Sequence, residues 1–236
     1  MANEASEGSI AALLSALQLG DSFFPSGRYT LSHGLESFAQ SGALADVADV
    51  ETVLTDYLTH AVARSEAVAV AAANRAAACG DLGTVIAVDE LLFAMKLATE
   101  ASVSSTRTGR QLLITACRLS DDPILAAYQR EVAECTAPGN HAVALGVLSA
   151  PWGIGPAEAA AMELHAYVTG LLGAALRLVR IDHAQTQSIL HRLQPVAASA
   201  AVTAAQTDYR QMSSFAPVIE IMQMRHEGSY LRLFAS

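Results

Sequence analysis

The sequence predicts an all-α fold: a single-domain helical bundle of roughly nine or ten helices. Three observations carry this. Alanine makes up about a fifth of the chain, well above common usage, and it favours helix more than any other residue. Apolar residues recur at the 3.6-residue period in segment after segment. No run alternates with period two, and there is no Asn-Gly hairpin, so nothing reads as a strand.

The elements follow in order. Met1 to Ser9 is acidic and polar, lacks the basic start of a signal peptide, and reads as a flexible terminus. Ile10, Leu13, Leu14 and Leu17 have the i, i+3, i+4, i+7 spacing of a helix with one buried stripe. Asp21 to Gly27 interrupts it, since Pro25 and Gly27 do not both sit in a helix interior. A short helix is expected from about Thr30 to Gln40, ended by Gly42. Another starts at Asp49, with Val50, Val53, Leu54, Tyr57, Leu58 and Ala61 on its stripe, and its composition continues to Cys79. Gly80 then supplies a C′ residue. Asp81 caps the next helix, and a further one runs from Thr99 to about Leu119, before Asp121-Asp122-Pro123. Helices are expected at 123–135, 140–150, 156–180 and 184–205. Asp182 and Gln185 have capping-box spacing. Beyond Gln206 the periodicity weakens, and this tail is expected to be partly extended and to dock on a partner.

Composition excludes several functional classes. The chain has 236 residues and a formal charge of −9, with 52% hydrophobic and 16% charged residues. That is too apolar for a disordered chain. The negative charge argues against nucleic-acid binding, which needs cations to displace counterions. Cys79, Cys117 and Cys135 form no CxxC pair, as expected of reduced thiols in a cytoplasmic protein. The most apolar run, Ala166 to Ile181, is interrupted by Arg177 and Arg180 and is shorter than a bilayer span.

Catalytic signatures are lacking. There is no GxSxG, Walker A loop, GxGxxG or HExxH. The seven histidines pair with no cysteine at zinc spacing. Glu36, Glu66 and Glu100 read as carboxylates on solvated helix faces. No catalytic or metal-ligating residue is nominated, and no cofactor is expected. A helical metal-dependent hydrolase, or a direct metal carrier using histidines and carboxylates from separate helices, is the alternative reading.

Three features are unusual for a generic bundle. Phe23 and Phe24 put apolar area into a turn, either as a core plug or as an adhesive patch. Glu100, Ser104, Arg107 and Gln111 fall on one helical stripe, a solvated face or a polar seam. Gly170 and Gly173 allow close approach along a long apolar helix, in the core or at a homodimer seam.

With these segments in view, the chain resembles the UreF-type urease accessory proteins. The N-terminal block is Leu17-Gln18-Leu19-Gly20-Asp21-Ser22-Phe23-Phe24-Pro25-Ser26-Gly27 and Tyr29-Thr30-Leu31-Ser32-His33-Gly34-Leu35-Glu36. Glu100 with Arg107-Thr108-Gly109-Arg110-Gln111-Leu112-Leu113 forms a second block. Arg177-Leu178-Val179-Arg180 with Gln185 and Gln187 forms a third. His226-Glu227 and Arg232-Leu233-Phe234-Ala235-Ser236 match the family's ending. Arg28 departs from the pattern, where a small residue, usually Gly, is expected. The resemblance implies an all-α homodimer with a non-enzymatic role in nickel insertion. It would bridge a UreD/UreH-type protein and the GTPase UreG and dock on apo-urease, with no nucleic acid or membrane partner. Partner contacts are then expected at Asp21, Phe23, Phe24, Pro25, Gly27, His33, Glu36, Glu100, Arg107, Gln111, Arg180, Gln187, His226, Glu227, Arg232 and Phe234.

Overall fold

In the computed structural model, residues 2–28, 31–230 and 232–235 are described, with side chains from residue 7 onward. Tyr29, Thr30 and Ser236 of the motif blocks lie outside them. The helices are α1 (Ala2–Gly20), α2 (Leu35–Gln40), α3 (Val47–Asp56), α4 (Glu66–Ala78), α5 (Leu82–Ala94) and α6 (Thr99–Ala116). They continue as α7 (Pro123–Ala133), α8 (His141–Ser149), α9 (Pro156–Leu178), α10 (His183–Gln206) and α11 (Pro217–Glu227). Among the described residues there is no strand, and the all-α class stands.

The centre is α4 crossing α8, enclosed by α9, α10, α6 and α5. Every residue of α8 is buried, as are eleven of α4, from Glu66 to Asn74 with Ala76 and Ala77. A helix apolar on all sides belongs at a core. The small alanine side chains let these axes approach closely, and dispersion in the close packing repays the loss of larger apolar groups. The long apolar α9 meets the length and composition of a membrane span, but half of its most apolar window is buried inside the protein.

Local signals set most boundaries. Asp46 and Asp182 both form complete capping boxes, the latter with Gln185. Asp81 caps α5, and Asp122 caps α7 with Pro123 in its first turn. Buried Asp89 pins the approach to α8. It accepts from Tyr128 Oη at 2.7 Å and from the N–H groups of Gly139 (2.7 Å) and Asn140 (2.9 Å).

Two expectations are corrected. The helix read as continuous from Asp49 to Cys79 breaks into α3, a π-helical turn (Tyr57–Ala61), a 3₁₀ turn (Val62–Arg64) and α4. No Pro or Gly marks this break. Its carbonyls are taken up from far along the chain: His60 accepts from Phe215 N–H and Arg64 from Ser213 N–H, at 3.0 and 3.1 Å. A broken helix leaves orphan acceptors, and the incoming chain satisfies them. Second, the α1 stripe is inverted. The partly buried side, packed toward α9, carries Ala12, Ser15, Ala16 and Leu19, while Ile10, Leu13, Leu14 and Leu17 are exposed. The segment beyond Gln206 is partly extended. After a 3₁₀ turn (Tyr209–Gln211) it forms α11, packed on α2 and α6.

Candidate functional site: a junction closed by the C-terminal segment

His226 lies on α11, fully buried, with Ile219 and Met222 on the same face. Its Nδ1 is 2.6 Å from Glu100 Oε2, at the start of α6, and its Nε2 is 3.0 Å from Glu36 Oε2, on α2. One imidazole thus joins three segments that are distant in sequence.

Both carboxylates have further partners. Glu36 accepts from the backbone N–H of Leu233 (2.9 Å) and Phe234 (3.2 Å), so the last residues fold back over α2. Glu100 Oε1 receives Arg232 Nη1 at 2.5 Å. Glu227 Oε1 accepts from the N–H of Glu100, an unpaired donor in the first turn of α6. The Arg177 guanidinium lies 5.5 Å from the ring centre of buried Phe234. Gly34 makes the junction possible. Its φ is +86°, and a Cβ there would stand 2.9 Å from the Gln223 nitrogen of α11. Only glycine adopts that conformation and leaves that space.

A second polar cluster lies behind the junction. Arg28 Nη1 meets Glu163 Oε2 at 2.6 Å and His141 Nδ1 at 3.3 Å, and its guanidinium stacks 4.9 Å from the Tyr167 ring centre. Burial alone would raise the Glu163 carboxyl, but Arg28 and His141 outweigh it and hold the group down at about 2. Burial, then the Arg28 charge, lowers His33 to about 3, so this imidazole is neutral. The same two causes lower His141. His33 stacks on Tyr167 at 4.6 Å, and its carbonyl accepts from Tyr57 Oη and from Gln223 Nε2. Lys96 pairs with Glu66, whose Oε2 is buried without a partner. These groups border a cavity of about 90 Å³ between α4, α6, α9 and α11. Among the described residues no group of three or more His, Cys, Asp or Glu is placed to hold a metal ion.

The structure brings together Glu36, Glu100, His226, Glu227, Arg232 and Phe234 of the residues the sequence nominates, and His33 lies next to them through Gln223. Asp21, Phe23, Phe24, Pro25 and Gly27 form a separate turn after α1. Phe24 plugs the core while Phe23 faces solvent, so the two adjacent rings split the two roles between them. The Glu100–Gln111 stripe lies along the flank of α6. Ser104 is buried at its inner edge, while Arg107 and Gln111 are exposed. Arg180 and Gln187 are exposed.

The expectation of solvated carboxylates fails for Glu36 and Glu66, which are buried, and for Glu100, which is mostly covered. Sequence reasoning also missed Asp89, Glu163 and Tyr167. Glu163 and Tyr167 sit four residues apart on α9, and that spacing of polar groups was the available signal.

The family model for UreF matches residues 44–194. The chain is 33% identical over 228 residues to the urease accessory protein UreF 2 of Brucella canis, covering 96% of this chain and 93% of that protein. It is 33% identical to the UreF of Trichodesmium erythraeum, covering 96% and 98%. The UreF of Yersinia pseudotuberculosis is 30% identical, covering 95% and 98%. This chain belongs to the UreF family of urease accessory proteins. Helices α3 to α9 and the first half of α10 fall within the span of the UreF model. Both the N-terminal block and α11 fall outside it, and both are covered by the full-length relatives.

Proposed function

We propose that this chain is a non-enzymatic scaffold of urease maturation in the cytoplasm. In this reading it acts as a homodimer that bridges a UreD/UreH-type protein and the GTPase UreG, and the assembly delivers nickel to apo-urease. The observation that carries the reading is the junction at His226. Side chains from both ends of the chain and from α6 are used there to hold α11 and the last residues in one orientation, rather than to converge on a reactive centre. Held this way, α11 keeps Ile219 and Met222 inside and turns Val218, Ile221 and Met224 outward, beside exposed Phe215. An apolar face on a fixed helix is suited to helix-in-groove docking, and it is assigned here to the UreD/UreH-type partner.

Co-expression with UreD/UreH and UreG homologues, followed by size exclusion with light scattering, tests this. A ternary complex is expected, and Ile221→Asp with Met224→Asp should release the UreD/UreH-type protein while the isolated chain stays folded. Charge reversal at Arg107, exposed on the α6 flank, should weaken capture of UreG. A chain that forms neither complex, or that turns over a substrate alone, defeats the proposal.

A further inference from the structure

From Ala101 to Ser120 the chain holds three arginines and no carboxylate, in a protein whose net charge is −9. Arg107, Arg110 and Arg118 are all exposed. Among the described residues, none of the three forms an ion pair with a carboxylate. With 3.6 residues per turn, Val103, Arg107, Arg110, Gln111 and Ile114 fall within an arc of about 100° and share the outer face of α6. Val103 and Ile114 are 58% and 46% exposed, so this face is apolar as well as cationic. Val103 and Arg110 also line an open trough of about 440 Å³ between α5, α6 and residues 135–138, together with Glu90, Phe93 and Pro138. Its walls are held by buried contacts. Asp89, next to Glu90, accepts from the N–H groups of Gly139 and Asn140, and Thr136 Oγ1 donates to Glu131 Oε2 at 2.6 Å.

We propose that this trough and the arginine face beside it dock an acidic amphipathic helix of a partner protein, its apolar residues seated against Phe93, Val103 and Pro138 and its carboxylates facing Arg107 and Arg110. The surface rests on the scaffold reading above, which gives Arg107 to the GTPase, and adds the chemistry of the segment received. Charge complementarity selects this occupant. Cations that no carboxylate of their own chain neutralises gain most from a partner that brings carboxylates. A second copy on a two-fold axis would set these same arginines against each other. Nucleic acid and anionic membranes draw on a broad basic field, and a chain of charge −9 repels both. Apolar anchors beside a charged edge are what helix-in-groove recognition uses, with the anchors at i, i+3 or i+4, and i+7. Glu90 on the α5 wall is the only carboxylate lining the trough, and it directs the acidic edge of the incoming helix toward α6.

The test is titration calorimetry of the full chain with a purified UreG homologue, joined to photo-crosslinking from p-benzoylphenylalanine placed at position 103. Wild-type affinity should fall as salt is raised. Arg107→Glu with Arg110→Glu should raise the dissociation constant about 30-fold and abolish that salt dependence. Val103→Asp, on the apolar wall, should raise it about 10-fold. All these positions are exposed, so circular dichroism and the melting temperature should stay close to wild type. The crosslinked peptide should carry net negative charge and apolar residues at helical spacing. A chain that does not bind the GTPase at all overturns the scaffold reading and this surface together. Tight binding that is indifferent to the three substitutions overturns the surface alone. So does a crosslink from position 103 to a basic or uncharged segment, or to another copy of this chain.

Discussion

Replacing His226 by alanine removes the group that faces Glu36 and Glu100 at once and leaves two covered carboxylates short of a partner. Leaving buried polar groups without one of their hydrogen-bond partners costs about 1–3 kcal/mol each, a loss to be read from urea denaturation. Arg28 is a second such residue. Glycine there, the small residue the family pattern expects, would strand buried Glu163 without its cation. Arg28→Gly should therefore destabilise by about 3 kcal/mol, and adding Glu163→Gln should recover part of that loss. The same cluster sets a pH dependence. Glu163 is held at about 2 in the folded protein, below an ordinary 4.5, so its contribution is present above pH 4.5 and lost as pH falls toward 2. His33 is held neutral down to about 3, against 6.5 when free. The unfolded chain binds that proton first, so stability declines as pH falls from about 6.5 toward 3. His33→Asn, which tolerates the residue's positive φ of 50°, should flatten the decline between pH 6.5 and 5 in denaturation curves.

At the scale of elements, α6 packs unusually close to the start of α8. A Cβ on Gly109 would fall 2.1 Å from the Gly139 carbonyl oxygen, which is backbone and has no side-chain rotamer to yield. Gly109→Ala should cost about 3 kcal/mol by overpacking, despite the gain in helix propensity, and thermal unfolding checks it. Thr108-Gly109 lowers helix propensity, and in the sequence that points to a packing reason. Helix ends were the most legible elements, because Asp81, Asp122 and Asp182 act on backbone groups two or three residues away. The break at Tyr57–Arg64 was illegible, since the chain that satisfies its carbonyls arrives from residues 213–215. The α1 stripe was legible as a helix but misleading as to side. Periodicity reports that an apolar face exists and not which neighbour covers it.

For the whole molecule, the C-terminal segment is the strap that joins α2, α6 and the 57–64 break. Limited proteolysis of the isolated wild type should spare residues beyond Gln206. His226→Ala and Glu36→Gln should each expose α11 to cleavage while α4 and α8 stay intact. Cleavage of the wild-type tail at the rate of the variants would show that the strap contributes nothing. Six of the residues the sequence nominates met at this junction because they lie in blocks shared with a family. No periodicity within those blocks points from Glu36 to residue 226.

What the sequence determined alone is whatever depends on neighbours a few residues apart: the helical class, the caps, the turn at Asp21–Gly27 and the absence of strands among the described residues. These follow from backbone hydrogen bonding and side-chain spacing along the chain. The tertiary structure decided which polar groups are buried and which apolar faces are left bare. Glu36, Glu100, Glu163 and His226 look like ordinary surface residues in the sequence. They become fixed partners because desolvation in the packed interior makes an unpaired charge too costly to leave, and only the fold brings their partners within reach.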